Sequence, residues 1–152
     1  MITTAIAFIL AVTVCLIATS WKNDMLDSVS EVAYIIPHWA FTIWIALVGG
    51  LLMPDIMEHL PENWQWVGFL CVVGLFCVGA SSYYRTQERT LHYVGGFLWG
   101  VCATVVVILN CWPLLLGWIL YVVLMWLSRW RCYTFWSEYV ITAQLCTALM
   151  CF

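Results

Sequence analysis

The polar chemistry open to this chain sits in three short stretches. In DSVSEVAY, residues 27 to 34, Ser28 and Glu31 stand at S-x-x-E spacing. At that spacing a serine hydroxyl accepts an orphan N–H of a helix start, and the glutamate reaches back to the N–H of the serine. The pair therefore reads as a helix opening. A hydroxyl beside a carboxylate is also raw material for a nucleophile, but neither G-x-S-x-G nor S-x-x-K surrounds Ser28. His38 follows Pro37, which implies a kink near Ile36 or a short interfacial helix and then a span; ten residues of continuous helix from Ser28 would set His38 about 15 Å along the axis. His92 stands in SSYYRTQERTLHYVGG, residues 81 to 96. Thr86 is a candidate cap there, Glu88 suits the positive helix end, and His92 falls about 9 Å further in.

Neutral imidazole is the form that metals and haem iron bind. His38 and His92 are thus the candidate ligands of a metal ion, and with Ser28 and Glu31 they form a candidate catalytic set. The H-x-x-x-H and C-x-x-C spacings are absent, and the competing reading is two histidines hydrogen-bonded within the fold. No other cofactor is expected. The third stretch, PDIMEHLPENW, holds Asp55, Glu58, His59 and Glu62 between and beside two prolines. Three carboxylates and a histidine suit a divalent cation, or simply a loop facing water.

The elements that position these residues follow from composition. The chain is 65% hydrophobic and 9% charged, with a mean hydropathy of +0.98. A soluble domain carries about 25% charged residues, so 152 residues of this kind could not clothe a water-facing surface. An all-α integral membrane protein is expected. Long unbroken apolar runs argue against a barrel, which needs alternating segments of about 10 residues. A net charge of −3 without a basic stripe excludes nucleic acid as a partner. The eight cysteines are scattered without a CxxC pair, as small apolar residues would be. A disulfide between Cys111 and Cys151 is the one pairing considered. The first 21 residues lack a basic leader and an A-x-A site and read as a retained helix.

A span needs about 20 apolar residues. Six runs meet or approach that length, at about 2–21, 32–53, 64–82, 91–109, 113–127 and 133–152, and form one domain over 1–152. Pro54 is read as the stop of the second run. Asn110-Cys111-Trp112-Pro113 is read as the turn between the fourth and fifth. Trp21, Trp39, Trp64, Trp66, Trp112, Trp126, Trp130 and Trp136 fall near run ends, where indoles favour the membrane interface. With six spans, Lys22, Arg85, Arg89, Arg129 and Arg131 all fall in loops on one side. The positive-inside rule makes that side cytoplasmic, with both termini outside, as in a multi-pass protein of a bacterial-type inner membrane.

Gly96 and Gly100 form a GxxxG pair on the fourth run, and such pairs let helices approach closely. Gln144 is expected to hydrogen-bond another helix, and Glu138 to lie near Arg129 or Arg131. The plan resembles the small six-helix membrane proteins of the Frag/DRAM type and related uncharacterised families, through SVSEVAY in the first loop and LHYVGG opening the fourth helix. That resemblance implies a membrane protein without an assigned enzymatic activity. Ceramidase-like membrane hydrolases are a more distant comparison, through a serine, acid and histidine set that Ser28, Glu31, His38 and His92 could match. Their paired late histidines are absent, since the last two runs here contain none.

Three functions follow from these features. The first is a non-catalytic protein that binds membrane lipids or a membrane protein partner, a second copy included. The second is a lipid-active or metal-dependent enzyme. The third is a small oligomeric transporter or channel.

Overall fold

The computed structural model of the protein describes residues 1–127 and 132–151. Arg129, Trp130 and Arg131 fall outside them, as does Phe152. The apolar runs become α1 (Ile2–Lys22), α2 (His38–His59), α3 (Gln65–Ala80), α4 (Arg89–Cys111), α5 (Gly117–Leu127) and α6 (Tyr133–Cys151). Short 3-10 helices at Val29–Tyr34, Glu62–Trp64 and Trp112–Leu116 carry the connections, and no strand occurs among the described residues. Asn23, in the left-handed region at φ 58°, ends α1. Asparagine tolerates that geometry because its short side chain bonds locally.

Four stretches are long and apolar enough to cross a membrane: Ile2–Lys22, His38–His59, Glu62–Ala80 and Arg89–Leu127. The last joins α4 to α5. The more polar α6 is not among them. The apolar residues are distributed inside out. On α1, Thr4, Ala7 and Ala18 are buried while Ile6, Ile9 and Leu16 are exposed.

Of the two outcomes Pro37 allows, a kink or a short helix before the span, the second is found, while Pro54 acts differently from the reading above. Pro37 does not kink a helix that began near Ser28. It caps α2, and the residue before a proline is pushed out of helical geometry. Residues 29–34 therefore form a separate short helix, and His38 is the first residue of α2 rather than a site deep within it. Pro54 does not stop α2, which runs on to His59. A proline ring crowds the carbonyl four residues back, here that of Gly50, and the helix continues past it. One residue on, Asp55 anchors the last turns. It is buried and accepts from the Thr4 N–H at 3.1 Å, the Thr3 hydroxyl at 2.8 Å and the Thr4 hydroxyl. Asp55 thus belongs to the packed α1–α2 contact and not to a water-facing loop. His59 Nδ1 lies 2.6 Å from the Asp55 carbonyl.

The tightest helix contact is between α3 and α4, at Gly74 and Gly95. A methyl group on Gly74 would come within 2.6 Å of the Trp99 backbone nitrogen and 2.7 Å of the Gly95 carbonyl. One on Gly95 would meet the Gly74 carbonyl at 2.8 Å. Both obstacles are backbone, which cannot rotate aside. The GxxxG pair does something else. A methyl group on Gly100 would meet nothing within 4 Å, and one on Gly96 only a Val78 methyl at 4.0 Å. These two glycines leave space open instead of closing a helix contact. On the far side, Gln144 Nε2 donates to the Leu114 carbonyl at 2.6 Å, and α5 packs on α6. All eight cysteines are free thiols, Cys111 and Cys151 included.

Gly74→Ala and Gly95→Ala should each destabilise the folded protein by about 1–3 kcal/mol through overpacking. Gly100→Ala should be neutral, or stabilising by up to about 1 kcal/mol from helix propensity. Thermal unfolding of the three variants in one detergent measures the order. A Gly100 variant as damaged as the other two would mean that α4 packs through its GxxxG face.

Candidate functional site

One end of the bundle gathers the C-terminus of α1, the Val29–Tyr34 helix and the N-termini of α2, α4 and α6. Glu31 ties this end together. Its carboxylate accepts from Lys22 Nζ at 3.0 Å and from the Asp27 N–H at 2.8 Å, and it lies 3.6 Å from Arg85 Nη2. The S-x-x-E spacing therefore does not close a capping box. Ser28 is the N-cap of the short helix without a side-chain cap bond, and Glu31 reaches one residue past it. The start of α6 is tied to the same segment. The Val29 N–H donates to Glu138 Oε2 at 2.6 Å, and the Phe135 N–H to the Asp27 carbonyl at 3.0 Å.

His92, buried in the first turns of α4, has both ring nitrogens engaged. Nε2 lies 2.9 Å from Ser30 Oγ, and Nδ1 lies 3.1 Å from Ser81 Oγ. The Tyr84 ring stacks on the imidazole at 4.1 Å. His38 has separate contacts. Its ring sits 3.9 Å from that of Tyr83 and meets Tyr34 edge-on at 5.6 Å. Tyr34 also touches Tyr84, so the two histidines flank an aromatic group rather than share a ligand position. Among the described residues no group of three histidines, cysteines or carboxylates could hold a metal ion. Thr86 does not cap α4. It donates to the Tyr83 carbonyl, and Glu88 takes the N-cap position and accepts the Tyr83 N–H.

A cavity of about 1040 Å³ opens beside this cluster. Its lining changes character along its length. Asp27, Arg85, Arg89 and Glu138 supply its charge, Ser30 and His92 follow Arg89 and Asp27 inward, and Trp44, Val48, Trp99 and Ile141 make a mostly apolar shaft that Thr104 and Thr142 also line. One wall is α4 and the other is the first half of α6. Gly96 and Gly100 leave the shaft room on the α4 side. The cavity opens sideways, since the lining residues Phe97 and Val101 in the middle of α4 are 75% and 45% exposed. Arg85 also lies over the Tyr34 ring at 4.6 Å. Arg89 lies over Tyr93 at 5.6 Å and makes no ion pair among the described residues.

Of the residues singled out in the sequence, Ser28, His92, Arg85, Arg89, Gly96 and Gly100 line this cavity. Glu31 and Lys22 brace it, and His38 stands apart. Ser30, Ser81, Tyr84 and the wall role of Glu138 were not foreseen. The capping-box spacing drew attention to Ser28, two residues from the serine that meets His92. The SSYYR run did hold the other partners, but side-chain pairing across helices leaves no local spacing.

Burial alone would push the Glu31 carboxyl up. The Asp27 N–H and the Lys22 ammonium, with the Arg85 charge, outweigh it and hold the group below the usual carboxylate range. A carboxylate depressed in the fold contributes stability above its unfolded value, about 4.3, that is lost as pH falls through the folded value. Thermal stability in detergent should therefore drop on acidification below about pH 4.3. Glu31→Gln should be less stable at neutral pH and flatter in acid. Equal acid sensitivity of the two proteins would remove Glu31 from this role. Compared with protein family models, curated proteins and solved structures, the chain matches none.

Proposed function

We propose that the chain is an integral membrane protein of six spans that binds a zwitterionic phospholipid in the cleft between α4 and α6. The observation that carries this reading is the sideways-open cavity with charge at one end and a mostly apolar shaft behind it. Its volume is at the top of the range of about 300–1,000 Å³ for small-molecule pockets, and its shape suits one head and part of an acyl chain. Arg85 and Arg89 match a phosphate, through charge-assisted hydrogen bonds. Asp27 beside them matches an ammonium group. Trp44 contributes apolar ring surface to the shaft.

Membrane insertion rests on the four long apolar stretches and on the outward-facing Ile and Leu of α1. Exposed Trp21, Trp39, Trp66, Trp112 and Trp126 suit the two interfaces. Lys22, Arg85 and Arg89 share one end of the bundle, which the positive-inside rule places in the cytoplasm, with the termini outside. The cleft then opens to the inner leaflet, where a lipid enters from the side without leaving the bilayer.

Native mass spectrometry of the detergent-solubilised chain tests the binding. Dialkyl-ether phosphatidylethanolamine should be retained at one molecule per chain, dialkyl-ether phosphatidylglycerol more weakly, and dialkylglycerol least. Arg89→Gln should weaken retention about tenfold, the loss of one charge-assisted bond of about 1.5 kcal/mol. Gly100→Leu should fill the shaft and prevent retention in a folded protein. Equal retention of all three lipids, or retention untouched by both substitutions, would contradict a lipid site in this cleft.

A further inference from the structure

We infer that Ser30 and His92 form a nucleophile and base pair that cleaves the carboxylic ester of the lipid held in the cleft. This rests on the lipid-binding reading and adds a reaction to it. The starting point is a proton count. Ser81 Oγ lies 2.6 Å from the Cys77 carbonyl and has one proton, which it donates there. Ser81 can then only accept from His92, so Nδ1 carries the imidazole proton. In the neutral ring Nε2 is left bare, and it accepts the Ser30 hydroxyl at 2.9 Å. That direction is the one a general base needs: the hydroxyl proton already points at the nitrogen that must remove it. The distance is within the ~2.6–3.2 Å of activated nucleophile pairs.

The surroundings hold the pair in place. Tyr84 stacks on the imidazole and fixes its plane. Ser30 and His92 are both buried, and both line the cavity. Their level in the cleft also fits an ester. Three residues of helix separate Arg89 from His92, about 4.5 Å along α4. In a glycerophospholipid the ester carbonyls lie a few bonds below the phosphate, between the head and the acyl chains. A phosphate at Arg89 and a chain among Trp44, Val48 and Trp99 bring an ester to the Ser30 level.

In the reaction, Ser30 Oγ attacks the ester carbonyl carbon and its proton passes to His92 Nε2. The tetrahedral intermediate collapses, the carbon–oxygen bond to the glycerol breaks, and the departing alkoxide takes the proton from Nε2. The products are an acyl-Ser30 and a lysophospholipid. Water entering from the exposed Asp27 and Arg85 end then attacks the acyl carbonyl, with His92 again as base. It releases a fatty acid and regenerates Ser30. No oxidant, metal or further co-reactant enters the balance. Ser81 acts through His92 as a positioning residue, by accepting its Nδ1 proton.

The test uses the full chain in detergent with a long-alkyl fluorophosphonate, which a base-activated serine attacks at phosphorus with loss of fluoride. Peptide mass spectrometry should find the adduct on Ser30. It should be absent from Ser30→Ala and reduced at least about 100-fold in His92→Gln, the size of a general-base contribution. Release of fatty acid from dioleoyl phosphatidylethanolamine in mixed micelles should be lost in the same two variants. Ser81→Ala should lower kcat and leave KM unchanged. Retention of the dialkyl-ether lipid, which has no ester to cleave, should survive Ser30→Ala and so report the folded cleft separately. An adduct on Ser28 instead, or no adduct in protein that retains the ether lipid, would overturn the dyad and leave lipid binding standing. Loss of ether-lipid retention by the unmodified chain would overturn both.

Discussion

The backbone contact between Gly74 of α3 and Gly95 of α4 is the constraint on which the rest of the structure depends. With no side chain at either position, the two antiparallel helices close until each residue faces the other's carbonyl oxygen. That closeness sets the geometry at the bundle end. Ser81 follows α3 directly, and His92 lies three residues before Gly95, so the contact brings a hydroxyl and an imidazole within 3.1 Å. It also turns Trp99 and Val78 into a common wall of the cavity. A bulkier pair would separate Ser81 from His92 and leave Nδ1 without its acceptor.

A second constraint works from the other side. The Val29–Tyr34 helix lies between α1 and α2 and is held by charge as well as by its buried Val32 and Ala33. Glu31 binds Lys22, the Asp27 N–H and Arg85, and the Val29 N–H binds Glu138 of α6. These bonds place Ser30 against His92 Nε2. The same few residues therefore close the bundle end and build the polar part of the cleft. The α4 side of the shaft stays open because Gly96 and Gly100 contribute no side chain to it.

The helical plan was legible in the sequence because apolar runs and polar breaks are local signals. Five of the six helix starts and ends fall within a few residues of the runs read from the sequence. The second helix departs most, for a physical reason. A proline can cap a helix or sit inside one, and which it does depends on neighbours far along the chain. Pro37 caps, while Pro54 is tolerated beside the Asp55 anchor. The site was legible only as a neighbourhood. His92 and the two arginines were singled out, but the serine that meets His92 was passed over for Ser28. Spacing reveals contacts along one helix. The Ser30, His92 and Ser81 contacts cross three segments, and Gly74 with Gly95 share no motif in sequence.

A lipid seated between α4 and α6 is the central claim, and a photoactivatable phosphatidylethanolamine tests it most directly. With the diazirine near the middle of an acyl chain, in bilayers containing the full chain, crosslinks should concentrate on cleft residues such as Trp99, Val101, Val105 and Ile141. Excess unlabelled phosphatidylethanolamine should compete them away at a saturable concentration. Crosslinks spread evenly over the outward face of α1, at Ile6, Ile9 and Leu16, and indifferent to competitor, would show a lipid that only surrounds the bundle and would contradict a binding cleft.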